Sequence, residues 1–265
     1  MIWTLTFMLQ TTFDEPAPAG SLAKVVRHLF MRTARVAEVQ VLSPHFRLIT
    51  LAGDALKGVN WVPGQKIQVA MQGLATRTYT PMCWDAQEGV TRLVGYAHGN
   101  APGARWLQTA MVGDACQFLG PRRSIELDRI PRPSLVFGDE TSFALAYAMR
   151  YSVVGASGLR AVETPGVSFL FEVNSLTESQ AVFDAVGITD AAFIERKMDD
   201  AHWPAVEARA VDYFEGRGRD IARHYVLTGK STSVQRVLRF LRAQSVRPNQ
   251  LATKAYWAPG KVGLD

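Results

Sequence analysis

Apolar and polar residues alternate in short runs through the first half of the chain, and this pattern predicts β-strands. Successive side chains of a strand point to opposite faces, so a two-residue alternation marks a strand with one buried face. Gly, Pro, Asp and Asn separate the runs, as is typical of turns between antiparallel strands. Between residues 24 and 127 the clearest runs are 35–41, 46–51, 66–70 and 91–96. This spacing predicts an antiparallel β-barrel.

The pattern changes beyond residue 131, where short apolar runs alternate with longer helical stretches. We predict strands at 134–138, 167–173, 225–228 and 251–256, and helices at 142–151 and 231–244. Such alternation is typical of a parallel sheet covered by helices. Ligands of these domains bind beyond the carboxyl ends of the strands. Gly138-Asp139-Glu140-Thr141 and Thr228-Gly229-Lys230 fall at two such ends, although no Gly-x-Gly-x-x-Gly fingerprint occurs.

Composition and charge are those of an ordinary globular chain and exclude several classes of function. The chain has 265 residues, 48% of them apolar and 20% charged, which is enough to bury a substantial core. The formal net charge of +5 is scattered, so we expect no nucleic-acid partner, but the excess suits an anionic ligand. The five histidines lack metal-ligand spacing, so no metal site is expected.

The N-terminal residues and the two cysteines indicate in which cellular compartment the protein is expected. Residues 1–10 are apolar but lack a positive segment and a clear small-residue cleavage site, so we expect an N-terminal extension over residues 1–23 and not a signal peptide. No run approaches the roughly 18 apolar residues of a membrane span. Cys83 and Cys116 form no Cys-x-x-Cys pattern, and a reducing cytoplasm is the simplest setting.

The segment Arg77-Thr78-Tyr79-Thr80-Pro81 carries side chains suited to a flavin ring. A flavin needs a flat, partly apolar slot with hydrogen bonds near its reactive nitrogens. On a strand, Arg77 and Tyr79 share one face, whereas Thr80 points the other way or ends the strand before Pro81. An Arg and a Tyr alternating on a strand are also common on a solvated face, so the segment needs support from elsewhere in the chain.

A second segment, residues 98–106, is suited to phosphate and reads His98-Gly99-Asn100-Ala101-Pro102-Gly103-Ala104-Arg105-Trp106. Its small residues let backbone N–H groups approach an anion, and a helix predicted over residues 105–111 presents its N-terminus to phosphate. The same residues also fit an ordinary Gly/Pro loop leading into a helix. Taken with the first segment, however, they predict a flavin site beside a pyrophosphate site, as in a flavin reductase.

With both segments in view, the chain resembles the siderophore-interacting protein family, the FAD-binding ferric-siderophore reductases of the ferredoxin-NADP reductase superfamily. The resemblance covers most of residues 24–260. It rests on four motifs in the family's order: Arg-x-Tyr-Thr at 77–80, His-Gly to Trp at 98–106, Gly-Asp-Glu-Thr at 138–141 and Tyr-Trp at 256–257. It implies a six-stranded FAD-binding β-barrel over residues 24–130 and a parallel-sheet, NAD(P)-binding-like α/β domain over residues 131–265, with a C-terminal segment that shields the flavin.

The resemblance also implies which residues hold the cofactor. It places Tyr79, Thr80 and Trp257 beside the flavin, and no residue is needed as an acid or a base. The implied cofactor-binding residues are Arg77, Thr78, Tyr79, Thr80, His98, Gly99, Gly103, Ala104, Trp106, Asp139, Glu140, Thr141, Tyr256 and Trp257. Because acidic residues at a helix start usually cap the helix dipole, capping is favoured for Asp139 and Glu140, and ligand contact for Thr141.

The chain departs from the family pattern at three places. Ala101 stands where many relatives have Gly, which is tolerable if its φ is negative. Thr228-Gly229-Lys230 replaces the usual Ala-Gly-Glu, so the chain has an ammonium where relatives have a carboxylate. After Trp257 the chain has Ala258, where relatives often have Arg or Lys. The basic residues we first expect to bind an acidic iron chelate are Lys230, Lys254 and Arg122.

The implied function is ferric-siderophore reduction, in which electrons pass from NADH or NADPH (or from ferredoxin) through FAD to chelated Fe(III), and Fe(II) is released. Two alternatives stay open. A general NAD(P)H:flavin or ferredoxin-type oxidoreductase would share the fold and the FAD. A non-enzymatic siderophore-binding protein that has lost the flavin would account for the altered Thr228-Gly229-Lys230 turn.

Overall fold

Two β-sheets of different kinds organise the part of the chain that the structure describes. The computed structural model describes residues 30–71, 75–153, 161–163, 165–215 and 224–260. The predicted N-terminal extension, residues 1–23, lies outside these ranges. Within them, no helix is long and apolar enough to cross a membrane.

The first sheet is antiparallel and has seven strands, where six were expected. These strands are β1 (Arg32–Val41), β2 (Phe46–Ala52), β3 (Lys66–Ala70), β4 (Thr76–Tyr79), β5 (Cys83–Asp85), β6 (Val90–Tyr96) and β7 (Ala115–Arg122). They pair in the order β4-β3-β7-β1-β2-β6-β5. All four predicted alternating runs lie within these strands. Strands β5 and β7 were not among the predicted runs, and the three-residue β5, which pairs with β6 at the edge of the sheet, is too short to show an alternation.

Apolar side chains from opposite ends of this strand order meet in one core. Trp84 of the edge strand β5 packs edge-on against Phe118 of β7, with ring centroids 6.3 Å apart. Ile67 and Val69 of β3 and Leu93 of β6 belong to the same buried cluster. Because strands near both edges cover one core, the sheet is curved in the manner of a barrel.

Helix α1 (Pro102–Thr109) connects β6 to β7 and begins three residues before its predicted start. Proline suits the first helical position because its φ is fixed near the helical value and it has no N–H to satisfy. The residue before it, Ala101, has φ −64 and ψ 153, so its side chain is accommodated at this departure from the family pattern. The helix ends at Thr109, because Ala110 has a ψ of 132.

The second sheet is parallel and five-stranded. Its strands are β8 (Ser134–Gly138), β11 (Val167–Val173), β12 (Ala191–Glu195), β13 (His224–Lys230) and β14 (Leu251–Trp257). Between β8 and β11 the chain forms a separate antiparallel pair, β9 (Tyr151–Val153) and β10 (Ala161–Glu163). The helices are α2 (Phe143–Arg150), α3 (Leu176–Ala185), α4 (Trp203–Glu215) and α5 (Ser231–Ala243). The predicted parallel α/β fold is confirmed.

The order of the parallel sheet is β12-β11-β8-β13-β14, so the chain leaves β8 toward one side and later returns to its other side. Such a reversal opens a crevice at the carboxyl ends of the two central strands, which here end at Gly138 and Lys230. Strand β13 is longer than predicted. Thr228-Gly229-Lys230 is therefore the end of the strand itself, and α5 follows at Ser231.

The two sheets pack against each other through aromatic side chains. Phe46 of β2 stacks on Phe143 of α2, with ring centroids 5.3 Å apart and planes 5° from parallel. Phe46 is thereby part of the core formed by the second sheet and its helices. The division of the chain into residues 24–130 and 131–265 stays a prediction.

Candidate functional site

A cavity of about 560 Å³ is lined by both sheets. Its volume is in the range of small-molecule and cofactor sites. The predicted residues that line it are Arg77, Thr78, Tyr79, Thr80, His98, Gly103, Ala104, Thr141, Lys254, Tyr256 and Trp257. The structure therefore brings together side chains from all four sequence motifs.

Strand β4 forms one wall and carries Arg77 and Tyr79 on the same face, as its alternation predicts. A Cβ atom added to Gly103 of α1 would lie 3.0 Å from Cγ of Arg77 and 3.3 Å from the Tyr79 hydroxyl. Both side chains are therefore packed against the first turn of α1. The Tyr79 ring also contacts Trp106 of the same helix, with centroids 5.5 Å apart.

The N-terminus of α1 opens into the cavity without a side-chain cap. The first N–H groups of a helix have no partner within the helix, and at this end they belong to Gly103 and Ala104, since Pro102 has none. Arg77 lies directly beside them. Unpaired amides, the positive end of a helix dipole and a guanidinium together favour an anion, and phosphate above all.

Aromatic rings form another part of the lining. The rings of Tyr96 and His98 have centroids 5.0 Å apart, and those of His98 and Trp257 are 6.3 Å apart. Tyr96 is fixed from the second sheet, because Asn174 donates a 2.9 Å hydrogen bond to its hydroxyl oxygen. A flat aromatic ligand would find both ring faces and ring edges here.

Two buried tyrosines supply polar groups at this site. Burial raises the pKa of Tyr79 well above its ordinary value, and the charge of Arg77 offsets only part of that effect. Burial also raises the pKa of Tyr256 well above its ordinary value. Both phenols therefore stay neutral at physiological pH and keep the proton that a hydrogen-bond donor needs.

Asp139 is buried at 1% exposure and its carboxylate is occupied by protein groups. One oxygen, Oδ2, accepts hydrogen bonds from the Trp257 indole at 2.7 Å and from the Lys230 backbone N–H at 2.8 Å. The other, Oδ1, accepts from the backbone N–H of Thr141 at 2.9 Å. The favoured capping role is thus present, and the same carboxylate also anchors the C-terminal strand.

Glu140 points toward the second sheet and forms a buried ion pair. Arg196 donates to its two oxygens at 3.1 and 2.6 Å, and the backbone N–H of Asn174 donates at 2.6 Å. Burial raises the pKa of Glu140, while the hydrogen bonds and charge of Arg196 act in the opposite direction. Asp139 and Glu140 do not line the cavity, so their contribution to cofactor binding stays a prediction and their observed contacts are structural.

Basic side chains line the cavity, and no carboxylate is found among the described residues of its wall. They are Lys66, Arg77 and Lys254. Of the three basic residues predicted to bind an acidic chelate, only Lys254 lies in this lining. Lys230 instead places its ammonium 5.9 Å from the centre of the Trp257 ring, and Arg122 donates to Gln68 at 3.3 Å. In the described ranges, no group of three or more His, Cys, Asp or Glu side chains is arranged to hold a metal ion.

Sequence reasoning missed some lining residues and included others that lie elsewhere. Gly99 and Trp106 are outside the lining, Gly99 in a turn with φ +63 and Trp106 packed behind Tyr79. Lys66, Tyr96 and Ser124 line it but were not predicted. Tyr96 was detectable, because it ends an alternating strand two residues before His98. Lys66 and Ser124 come from separate parts of the chain and carry no local signal.

The residues present fit FAD. The uncapped helix end beside Arg77 suits a pyrophosphate, and the close approach of Gly103 to strand β4 leaves no room for a Cβ atom without displacement. The tyrosines and Trp257 supply flat apolar surface, and neutral hydroxyls supply hydrogen bonds for a ring system. These are the two requirements that the sequence motifs predicted.

Comparisons with known proteins agree with this geometry. The model of the siderophore-interacting FAD-binding domain matches residues 63–125, which contain the first two motifs. A siderophore utilization protein from T. fusca has a similar structure, with a TM-score of 0.67 and 20% identity over 89% of this chain and 95% of that one. The siderophore-interacting protein SipS from Aeromonas hydrophila gives a TM-score of 0.61 and 18% identity over 87% and 92%.

Reductases of another kind share the fold. A ferredoxin reductase in carbazole 1,9a-dioxygenase gives a TM-score of 0.63 and 17% identity over 86% of this chain and 67% of that one. No protein with curated annotation is significantly similar in sequence. The resemblance predicted from the motifs is confirmed: residues 63–125 match the siderophore-interacting FAD-binding domain, and the chain has the fold shared by siderophore-interacting proteins and ferredoxin reductases.

Proposed function

We propose that the chain is an FAD-dependent ferric-siderophore reductase. One molecule of NADH or NADPH gives a hydride, two chelated Fe(III) ions each take one electron, and the products are oxidised nicotinamide, one proton and two Fe(II). Bound FAD supplies the chemistry between these steps, because a flavin accepts an electron pair and donates single electrons. The iron is a substrate that arrives and leaves with its chelator.

The observation that carries this proposal is the composition of the cavity wall. It combines an uncapped helix N-terminus beside Arg77, an aromatic surface that includes Trp257, and basic side chains without a carboxylate among the described residues. The helix end and Arg77 would hold the pyrophosphate of FAD, and Tyr79, Thr80 and Tyr256 would hold its ring system through neutral hydrogen-bonding groups. Trp257 would exclude water from this part of the cavity.

Lys66 and Lys254 favour an anionic chelate over a neutral one. Both line the cavity, and fixed positive charge at a concave site raises the local concentration of an anionic substrate. These charges bear on the chelate, and the choice between NADH, NADPH and ferredoxin as the donor is left to experiment.

A chelate-reduction assay with an Fe(II) trap tests the proposal. With FAD-loaded protein and NADH or NADPH, we expect Fe(II) to form from ferric chelates. Lys254→Glu should raise KM about tenfold for an anionic chelate and leave KM for a neutral chelate within about twofold, since the lost attraction is one of charge. Arg239→Glu makes the same charge change on an exposed face of α5 and is the matched control. Absence of Fe(II) with NADH, with NADPH and with reduced ferredoxin would contradict the proposal.

The likeness to a ferredoxin reductase supports a second candidate, a general NAD(P)H oxidoreductase with the same FAD. This enzyme would reduce artificial acceptors or ferredoxin as readily as ferric chelates. Competition between a ferric chelate and ferricyanide in one reaction separates the two candidates. A colourless protein that takes up no FAD would instead indicate the non-enzymatic siderophore-binding protein. The departure at Thr228-Gly229-Lys230, at the end of β13, supports that alternative.

We also propose a reducing cytoplasm as the compartment. Cys83 and Cys116 are both free and buried, which supports a setting that does not require disulfides.

A further inference from the structure

We propose that Asp139 is a positioning residue, which holds the indole of Trp257 as a wall of the cavity and acts on the cofactor through that ring. Sequence reasoning placed Asp139 among the cofactor ligands. Asp139, however, is not a lining residue of the cavity, whereas Trp257, whose indole donates to its carboxylate, is one.

The bond between the two residues spans 118 positions of the chain. The indole Nε1 donates to Asp139 Oδ2 at 2.7 Å, which is a short, charge-assisted hydrogen bond. It joins the turn after β8 to the last residue of β14, two strands that are not neighbours in the sheet because β13 lies between them. The ring is therefore fixed from the middle of the sheet, although its own backbone is at an edge.

Strand β13 completes the arrangement. The same Oδ2 accepts the backbone N–H of Lys230 at 2.8 Å. Gly229 makes this approach possible, because a Cβ atom there would lie only 2.6 Å from the Asp139 carboxylate. One carboxylate oxygen thus sets the relative positions of β8, β13 and the indole.

The cationic side chains near this carboxylate do not displace the indole from it. Arg196 Nη2 is 4.0 Å from Oδ2 and forms its short contact with Glu140 at 2.6 Å. The Lys230 ammonium lies over the Trp257 ring at 5.9 Å, at the outer limit of a cation–π contact. Lys230 therefore contacts the Trp257 ring through its ammonium and contacts Asp139 through its backbone N–H.

Nuclear magnetic resonance of the indole N–H groups tests this assignment in protein without cofactor. Trp257→Phe identifies the Trp257 signal, because it removes that signal and keeps an aromatic ring at the position. In the unmodified protein we expect this N–H to exchange with water about tenfold or more slowly than the indole of a short peptide, as a hydrogen bond to a buried charge protects it. Exchange as fast as in the peptide overturns the proposal without the need for any Asp139 variant.

Two substitutions and a control separate positioning from general structural support. Asp139→Ala should abolish the protection, and Asp139→Asn should restore part of it, since an amide oxygen still accepts. Glu140→Gln alters the adjacent buried carboxylate, which does not contact Trp257, and should leave the protection unchanged. Circular dichroism establishes that each variant is folded. Protection that survives in folded Asp139→Ala would overturn the proposal.

The effect on the flavin rests on the proposed function and needs its own measurement. In FAD-loaded protein, Asp139→Asn should shift the visible flavin absorption, and the shift should be smaller once Trp257 is Phe, because the part of the effect that passes through the indole is then removed while the hydrogen bonds to Thr141 remain. Additive shifts would overturn action through Trp257. Failure to take up FAD would count against the proposed function and leave the exchange result standing.

Discussion

Two glycines determine how closely the elements of the site approach one another, and they do so for different reasons. Gly103 is helical and matters because of what lies beside it, namely Arg77 and Tyr79 on strand β4. Gly229 has a φ of +95, and a Cβ atom added to it would lie 2.6 Å from the Asp139 carboxylate. Substitution at the first position should alter binding, and substitution at the second should alter folding.

Gly103→Ala should weaken FAD binding about tenfold without destabilising the protein. Alanine favours a helix over glycine by about 1 kcal/mol, but the new methyl group displaces the Arg77 side chain from the pyrophosphate position. Fluorescence titration with FAD and thermal unfolding of the cofactor-free protein measure the two effects. Gln108→Ala, on an exposed position of the same helix, is the control. Unchanged FAD affinity in Gly103→Ala would contradict the proposed pyrophosphate position.

Gly229→Ala should lower the free energy of unfolding by about 3 kcal/mol or more, measured by urea denaturation. It adds a steric clash with Asp139 to the unfavourable backbone conformation. The matched control is Gly113→Ala, because Gly113 has a φ of +96 and a Cβ atom added there would meet nothing within 4 Å. It should show only the backbone effect of about 1–2 kcal/mol. Equal losses in the two variants would show that the Asp139 contact is unimportant.

At the scale of elements, much of the fold follows from local patterns. The long strands are recognisable because one face is buried and the other is not, as in β6, whose residues are alternately buried and half-buried. The strand-helix alternation of the second sheet is equally visible. The three-residue β5 escaped prediction, since three residues cannot show a period of two, and α1 began early because Pro102 belongs to the helix.

The candidate site was predictable where its residues are adjacent in sequence, and less so where they are distant. Arg77 to Thr80 and the segment after His98 identified two walls of the cavity. The indole–carboxylate bond between Trp257 and Asp139 joins two motifs that were each recognised separately, but nothing in a local pattern pairs them. Lys66 and Ser124 reach the cavity only because the curved sheet brings them there.

The loop between β1 and β2 is joined to helix α3 by one carboxylate. Glu178 accepts hydrogen bonds from the Ser43 hydroxyl at 2.6 Å and from the His45 backbone at 3.0 Å, and it contacts the His45 ring at 2.9 Å. Burial opposes ionisation, but these hydrogen bonds outweigh it and hold the pKa of Glu178 below its ordinary value of 4.5. The contact therefore stabilises the folded state above that pH and is lost as the pH falls through the lowered pKa.

Glu178→Gln should reduce the free energy of unfolding by about 1 kcal/mol at pH 7, and by progressively less below pH 4.5. Urea denaturation of both proteins between pH 7 and pH 3 measures this difference. Glu195→Gln, at an exposed position at the end of β12, is the control and should change stability little at any pH. A difference between Glu178→Gln and the unmodified protein that grows on acidification would contradict the assignment.

At the scale of the whole molecule, the cavity depends on both sheets being held together. The stacked pair Phe46 and Phe143 and the contact between His45 and Glu178 fix the curved sheet against the parallel one. The curved sheet contributes the helix N-terminus and Arg77, and the parallel sheet contributes Thr141, Tyr256 and Trp257. Neither half alone has both the phosphate-binding and the aromatic part of the wall.

The proposed function requires that this cavity hold a redox-active FAD. The most direct test is the visible absorption spectrum of the protein purified without added cofactor, followed by release and identification of any bound flavin and by addition of NADH or NADPH. We predict a yellow protein that releases FAD and is bleached by at least one of the two donors. A colourless protein that also fails to take up added FAD would show that the cavity does not hold this cofactor.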